Sequence, residues 1–167
     1  SGGSSCGAGD IVTLETALIK SCNIPFAMLA TELGDDRIRA MAELMGFGTE
    51  LSIPLKVTPS YYPENPDIPQ TALTGFGQFD VRVSPLQMAM VSAAIANQGV
   101  MMQPQLVDMV VAANLNVLQD PEPKVLSVPM SRLTAGYLTR MMVDSVEVGA
   151  GTRAGISGYA VAGKTGT

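Results

Sequence analysis

Five of the chain's 11 prolines fall between Pro54 and Pro69. Proline lacks an amide proton and has a locked φ, so this density predicts an extended, irregular loop. The chain must therefore organise as helical segments on either side of it. Upstream, Thr13 predicts the cap of a helix whose apolar Leu14, Ala17 and Leu18 recur at helical spacing to about Lys20. That helix should break at Ser21-Cys22-Asn23. Pro25 suits the first turn of the next, in which Phe26, Leu29, Ala30 and Leu33 share a face until Gly34 stops it. A third helix begins at Asp35 or Asp36, runs through Ile38, Met41, Ala42 and Met45, and closes at Gly46.

Downstream, Ser84-Pro85-Leu86-Gln87 combines a capping serine, a proline at the first position and a glutamine at the third, the pattern of a reciprocal cap. A buried helix should follow, from Met88 to about Gln98, ended by Gly99. Gln105 to Val111 and Val117 to Gln119, with Asn114 to Asn116 between, read as a hairpin. Ser131 predicts the cap of a long helix through Leu133, Tyr137, Leu138, Met141 and Met142 to Val148. Gly149 to Gly158 holds four glycines and reads as a loop, and Tyr159 to Thr167 as a strand entering a Gly163-Lys164-Thr165-Gly166-Thr167 turn. The 11 methionines read as core filler, and Asp10, Glu15, Asp35 and Asp36 as helix-start charges.

The chain contains no histidine, which excludes a Ser/His/Asp triad, a Cys/His pair and a His-ligated metal within these residues. Base chemistry falls to Lys, Asp or Glu. A net charge of −5, with only 10 scattered Lys and Arg, argues against a nucleic-acid surface. No run of about 18 apolar residues occurs, so no membrane span is expected here. Cys6 and Cys22 are too few for a disulfide scaffold or a zinc site; one bridge between them and two unpaired thiols both remain open. The start at Ser1-Gly2-Gly3 without Met, and the stop directly after an apolar run, make an internal fragment of one domain the expectation.

Two short motifs carry chemistry. Lys164-Thr165-Gly166-Thr167 offers a fixed positive charge, two hydroxyls that can donate to a carboxylate, and a glycine that lets a substrate backbone approach. The bland alternative is a Gly-rich turn with a solvated lysine. Gly158 to Thr165 also satisfies the P-loop pattern letter for letter, yet a Gly-rich loop precedes Gly158 and Gly166 is a poor helix start, so nucleotide binding is a remote reading. Ser21-Cys22-Asn23 lies where a capped helix breaks. There a hydroxyl can relay a proton and an amide can both donate to and accept from a peptide. Read alone, it is an ordinary helix-end cap.

Together these residues resemble the penicillin-binding protein transpeptidases of the class B type. Ala17-Leu18-Ile19-Lys20-Ser21-Cys22-Asn23-Ile24-Pro25-Phe26 is similar to that family's S-x-N helix hairpin. Gly75-Phe76-Gly77-Gln78, Val83-Ser84-Pro85-Leu86-Gln87-Met88-Ala89 and Ile95-Ala96-Asn97-Gln98-Gly99 look like its central segments, and Val161 to Thr167 like its third motif. The resemblance implies an α/β fold, a helical lobe against an antiparallel sheet, incomplete at both ends. Residues 1–167 would be one partial transpeptidase domain: 1–148 mainly helical with the S-x-N motif and the proline-rich loop, 149–167 a loop and strand carrying the lysine motif.

By the same resemblance Ser21 would relay a proton, Asn23 would bond the substrate amide, and Lys164 would supply charge. Thr165 and Thr167 would bind a carboxylate, the Thr167 amide would be an oxyanion donor, and Gly166 would keep the strand edge open. The implied partners are a peptidoglycan stem peptide ending in D-Ala-D-Ala and the β-lactams that mimic it, with no metal or organic cofactor and no nucleic acid. The resemblance also implies an extracytoplasmic location, an upstream membrane anchor and cell-wall assembly proteins as further partners. One departure is large: the family's S-x-x-K pair should precede Ser21, but Ser1, Ser4 and Ser5 are followed three residues on by Ser4, Gly7 and Ala8. The chain alone is therefore expected to be inactive. A serine β-lactamase, a β-lactam sensor and a non-catalytic binding module remain as alternatives.

Overall fold

The computed structural model describes Cys6 and residues 11–51 and 53–166. Three helices lead: α1 (Leu14–Ile19), α2 (Asn23–Leu33) and α3 (Asp35–Leu44). Thr13 caps α1, its Oγ1 accepting from the Thr16 amide at 3.1 Å. α1 stops through two backbone bonds, Ser21 N–H to the Leu18 carbonyl at 3.1 Å and Cys22 N–H to the Ala17 carbonyl at 2.8 Å. This pairing places the intervening residue in the left-handed region, a position usually given to glycine; here it is Ser21, with φ 57°. Gly34 then ends α2 and opens α3.

The proline-rich stretch is irregular as far as Asp67 and then yields a helix that its composition concealed, α4 (Ile68–Thr74). Gln70 N–H donates to Asp67 Oδ1 at 2.8 Å, and Asp67 N–H to Gln70 Oε1 at 3.0 Å. Pro69 sits in the first turn, where a missing amide costs no intrahelical bond. α4 packs on α2, and Gly75 permits the approach: a β-carbon there would fall 2.5 Å from Ala30 Cβ and 2.6 Å from the Phe26 carbonyl oxygen.

α5 (Pro85–Ala96) starts at Ser84, whose Oγ accepts from Gln87 N–H at 3.2 Å. Only half of the expected reciprocal cap forms. The Ser84 amide donates to Ser60 Oγ at 3.1 Å, and the buried Gln87 carboxamide donates to the Met45 carbonyl instead. The loop has taken the amide that the glutamine was expected to satisfy. α5 is also buried along one face only, through Gln87, Met90 and Ala94, while Met88 is half exposed.

Leu51, Met90, Ala94 and Met101 form the central cluster, where each large side chain contributes ~1.5–3 kcal/mol by leaving water. Methionine fills the core at Met90, Met101 and Met130, but Met28, Met41, Met88 and Met109 are exposed, so that expectation holds for part of the set.

β1 (Met101–Met102) pairs antiparallel with β4 (Val125–Ser127), and between them in sequence β2 (Val110–Val111) pairs with β3 (Val117–Gln119), Val110 opposite Gln119. The hairpin is where it was expected, with a first strand much shorter than Gln105 to Val111. α6 (Arg132–Glu147), capped by Ser131 Oγ accepting from Thr134 N–H at 3.1 Å, packs on α1 and α5. A single 3-10 turn, Thr152–Ala154, interrupts the glycine loop. The strand expected over Tyr159 to Thr167 is not formed: residues 159–166 pair in no ladder with the described residues, because a strand pattern becomes a strand only beside a partner. Gly163 N–H instead donates to the Met142 carbonyl on α6 at 3.1 Å. Among the described residues no helix is long and apolar enough to cross a membrane. The architecture is α/β, helices with small antiparallel ladders.

Candidate active site

The loop after α6 is fixed to the end of α1 at two points. The Ala150 amide donates to the Ile19 carbonyl at 3.0 Å, and Gly149 packs so closely on that carbonyl that no side chain fits. With Gly163 held on α6, the next side chain reaches the corner between α1 and α2. Lys164 Nζ donates to Ser21 Oγ at 2.6 Å, to the Thr165 carbonyl at 3.0 Å and to Thr165 Oγ1 at 3.4 Å. Three N–H groups thus meet three acceptors, which leaves the Ser21 proton free for a different partner. Lys164 is exposed as a residue, yet its ammonium loses water in the cleft, and that desolvation lowers its pKa from the ordinary lysine value.

Asn23 is the first residue of α2 and is exposed. It borders, with Ser21, Lys164 and Thr165, a cavity of about 280 Å³. Phe26 and Phe76 supply its apolar wall, and Gly75 and Gly166 leave it open. The arrangement gathers a cation, two hydroxyls and a carboxamide around a slot with apolar lining, suited to a peptide with a charged end.

Of the two states left open for the cysteines, the bridge forms. Cys6 and Cys22 are disulfide-bonded, their Cα atoms 5.9 Å apart across 16 residues of sequence. Cys22 is buried and holds the N-cap position of α2, where its side chain makes no capping hydrogen bond. The covalent tie stands where a capping hydroxyl or carboxylate would be expected.

Ser21, Asn23, Lys164, Thr165 and Gly166, all singled out from sequence, share this cavity. Thr167 lies outside the described residues, as does Asp10. The P-loop reading loses its context, since residues 165 and 166 start no helix and Lys164 is turned toward Ser21. Leu18, Phe26, Gly75 and Phe76 also line the site and were not anticipated there. Phe26 had a signal, lying three residues after Asn23 on one helix face. Gly75 and Phe76 arrive only through the contact of α4 with α2, which no local pattern encodes.

A family model described as the penicillin binding protein transpeptidase domain matches residues 2–167. The chain is 36% identical over 167 residues to the peptidoglycan D,D-transpeptidase PbpA of Mycolicibacterium smegmatis, covering 99% of this chain and 34% of that protein. It is 35% identical to the protein of the same name from Mycobacterium tuberculosis H37Rv, with the same two shares, 99% and 34%. Among solved structures, the imipenem acyl-enzyme complex of penicillin-binding protein A from M. tuberculosis aligns with a TM-score of 0.92 at 35% identity, over 99% of this chain and 38% of that one. The D,D-transpeptidase domain of a peptidoglycan glycosyltransferase from Eggerthella lenta aligns with a TM-score of 0.83 at 38% identity, over 93% of this chain and 42% of its own. The chain spans about a third of the length of the curated relatives it matches. Matched almost throughout by that domain and folded as those structures are, it belongs to the penicillin-binding protein transpeptidase family.

Proposed function

We propose that this chain is the part of a peptidoglycan D,D-transpeptidase that carries the relay hydroxyl and the lysine motif, and that the whole protein acts by serine acyl transfer on D-Ala-D-Ala stem peptides. The contact that carries the reading is Lys164 Nζ to Ser21 Oγ. A serine outside these 167 residues, giving its proton to the activating lysine of its own S-x-x-K motif, attacks the amide carbonyl between the two D-Ala units. The tetrahedral adduct collapses by breaking the C–N bond, and the leaving nitrogen takes its proton from Ser21 Oγ. Lys164, hydrogen-bonded to the same oxygen, replaces that proton; desolvation makes it a better donor than an ordinary lysine. An amine of a neighbouring stem peptide then attacks the acyl-enzyme, its surplus proton returning through Ser21 to Lys164, and the C–O bond breaks as the serine takes back its proton from the activating lysine.

Asn23 bonds the substrate amide from the start of α2, Thr165 and Thr167 hold the terminal carboxylate, and the Thr167 amide faces the developing oxyanion. Gly166 keeps the backbone open to the substrate. β-Lactams enter as acyl donors of the same shape. The reading invokes no metal or organic cofactor. It places the protein on the extracytoplasmic face of the bacterial cell membrane, anchored by a helix upstream of these residues and working with cell-wall assembly proteins. The test is stoichiometric labelling of the whole protein by a fluorescent penicillin, with cross-linking of a D-Ala-D-Ala stem peptide to an acceptor amine. Rapid turnover of a chromogenic cephalosporin would overturn it in favour of a lactamase, and a covalent adduct on the 167-residue chain alone would overturn the external nucleophile.

A further inference from the structure

Behind the cleft wall lies a buried polar group that the acyl-transfer scheme does not use. Tyr62 is 9 % exposed, and its hydroxyl donates to Asp35 Oδ1 at 2.9 Å while lying 3.1 Å from Thr74 Oγ1. Arg39 holds the other side of the same carboxylate, Nη2 to Oδ2 at 2.5 Å, and its guanidinium sits over the Tyr62 ring, 5.1 Å from the centroid. Desolvation by burial, opposed by the Thr74 hydrogen bond and the Arg39 charge and reinforced by Asp35, raises the Tyr62 pKa, so the phenol stays protonated and donates.

The proton inventory gives this group a direction. The Asp35 carboxylate, paired with Arg39, only accepts, so the Tyr62 proton goes to it. Thr74 has one proton, to divide between Tyr62 Oη and the Thr71 carbonyl 2.8 Å away. Where Thr74 gives its proton to Tyr62 Oη, Tyr62 joins the end of α4 to Asp35, the first residue of α3, one step beyond the Gly34 that ends α2. A phenylalanine would fill the same volume without burying a hydroxyl. A buried network that is satisfied fixes geometry where apolar packing would leave latitude.

The part so fixed is the cleft wall. Thr74 is the last residue of α4, its carbonyl accepts from Gly77 N–H at 2.9 Å, and Gly75 and Phe76, which line the cavity, lie between. On the other side Gly75 has no room to retreat, because Phe26 and Ala30 of α2 touch it. The wall is held between α2 and Tyr62.

We propose that Tyr62 is a positioning residue for the acyl-transfer site: by engaging Asp35 and Thr74 together, its hydroxyl sets where Gly75 and Phe76 stand in the cavity they share with Lys164, and so how tightly the acyl donor is seated. This rests on the reading of the site given above.

Tyr62→Phe in the whole protein keeps the ring beneath Arg39 and removes only the hydroxyl. With a fluorescent penicillin, the non-covalent binding constant should weaken by roughly three- to tenfold while the first-order acylation constant stays within about twofold, the size of one lost buried hydrogen bond. Thr74→Val should do the same, and the double variant should be no worse than either single one, since both break one link. Amide hydrogen exchange should quicken at Phe76, Gly77 and Gln78 and stay unchanged at Ser21 and Cys22. Unaltered exchange at those three amides, equal weakening of both constants, or additive losses in the double variant would each overturn the proposal. A wild-type protein that takes no penicillin sinks the functional reading; a wild type that does, matched in both constants by Tyr62→Phe, sinks this inference alone.

Discussion

Lys164 Nζ lies 2.6 Å from Ser21 Oγ although 143 residues separate the two in sequence. Neither residue is brought there by its own element: Ser21 is at a helix stop and Lys164 is on a segment without ladder partners among the described residues. Their meeting depends on the Ala150 to Ile19 bond and on the Gly163 to Met142 bond, which seat the last loop on α1 and α6. If that contact is the proton path, Lys164→Gln should reduce the acylation rate of the whole protein by roughly a hundredfold or more, the scale of a lost general acid or charged donor. Folding should be little changed, since the lysine is exposed. Labelling kinetics with a fluorescent penicillin, alongside circular dichroism, decide it; a loss below about threefold would detach Lys164 from the chemistry.

The pH dependence has a definite sign. Desolvation lowers the Lys164 pKa in the folded chain, so the native state releases this proton at a lower pH than the unfolded state does. Between the two values the unfolded state holds more protons, and the contribution of this group to stability, unfavourable below that window, rises with pH through it. Under the proposed proton path, acylation goes the other way. Its rate should fall as pH rises through the lowered value, earlier than an ordinary lysine would titrate. Lys164→Arg, charged throughout, should be slower but lack that alkaline limb, and a limb of unchanged position in the variant would assign it to another group.

Ser21 occupies a backbone conformation that favours glycine, with φ 57°. Ser21→Gly should therefore stabilise the fold by about 1 kcal/mol while removing the hydroxyl that Lys164 contacts. Stability and acylation should move in opposite directions in one variant. Urea midpoints and penicillin labelling measure the two. A destabilised Ser21→Gly would mean that the hydrogen bond to Lys164 outweighs the backbone cost.

The Cys6–Cys22 bridge closes a loop spanning 16 residues of sequence, so replacing both cysteines by serine should destabilise the chain by about 3 kcal/mol. The thermal midpoint of the double variant reads this directly. A thiol titre of the untreated protein under denaturant should be zero, rising to two per chain after reduction. Equal midpoints for wild type and double variant would show that the tie adds nothing.

Much of the fold was legible where a side chain acts on its own backbone. Thr13 and Ser131 cap the helices they were expected to cap, and Gly34 stops the one it was expected to stop. Legibility ended where two distant segments compete for one group. Ser84 and Gln87 carry the letters of a reciprocal cap, but Ser60 intervenes from 24 residues away. α4 was hidden because proline content signals a loop, whereas Pro69 stands at the one part of a helix that tolerates it. Tyr159 to Ala162 has the composition of a strand and no ladder partner among the described residues. For the site, the polar residues were readable from short motifs; the wall of Gly75 and Phe76 was not, because helix packing sets it.

The contact of Gly75 with α2 has a consequence for how this cleft varies. It is a meeting of main chain with main chain and a methyl group, so on the α2 side the wall is stopped by parts that have no rotamers to choose from. Exchanges at Phe26 or Phe76 would then re-line the slot without moving that stop, and tolerance for differently shaped acyl groups would be tuned on its surface while the stop stayed in place.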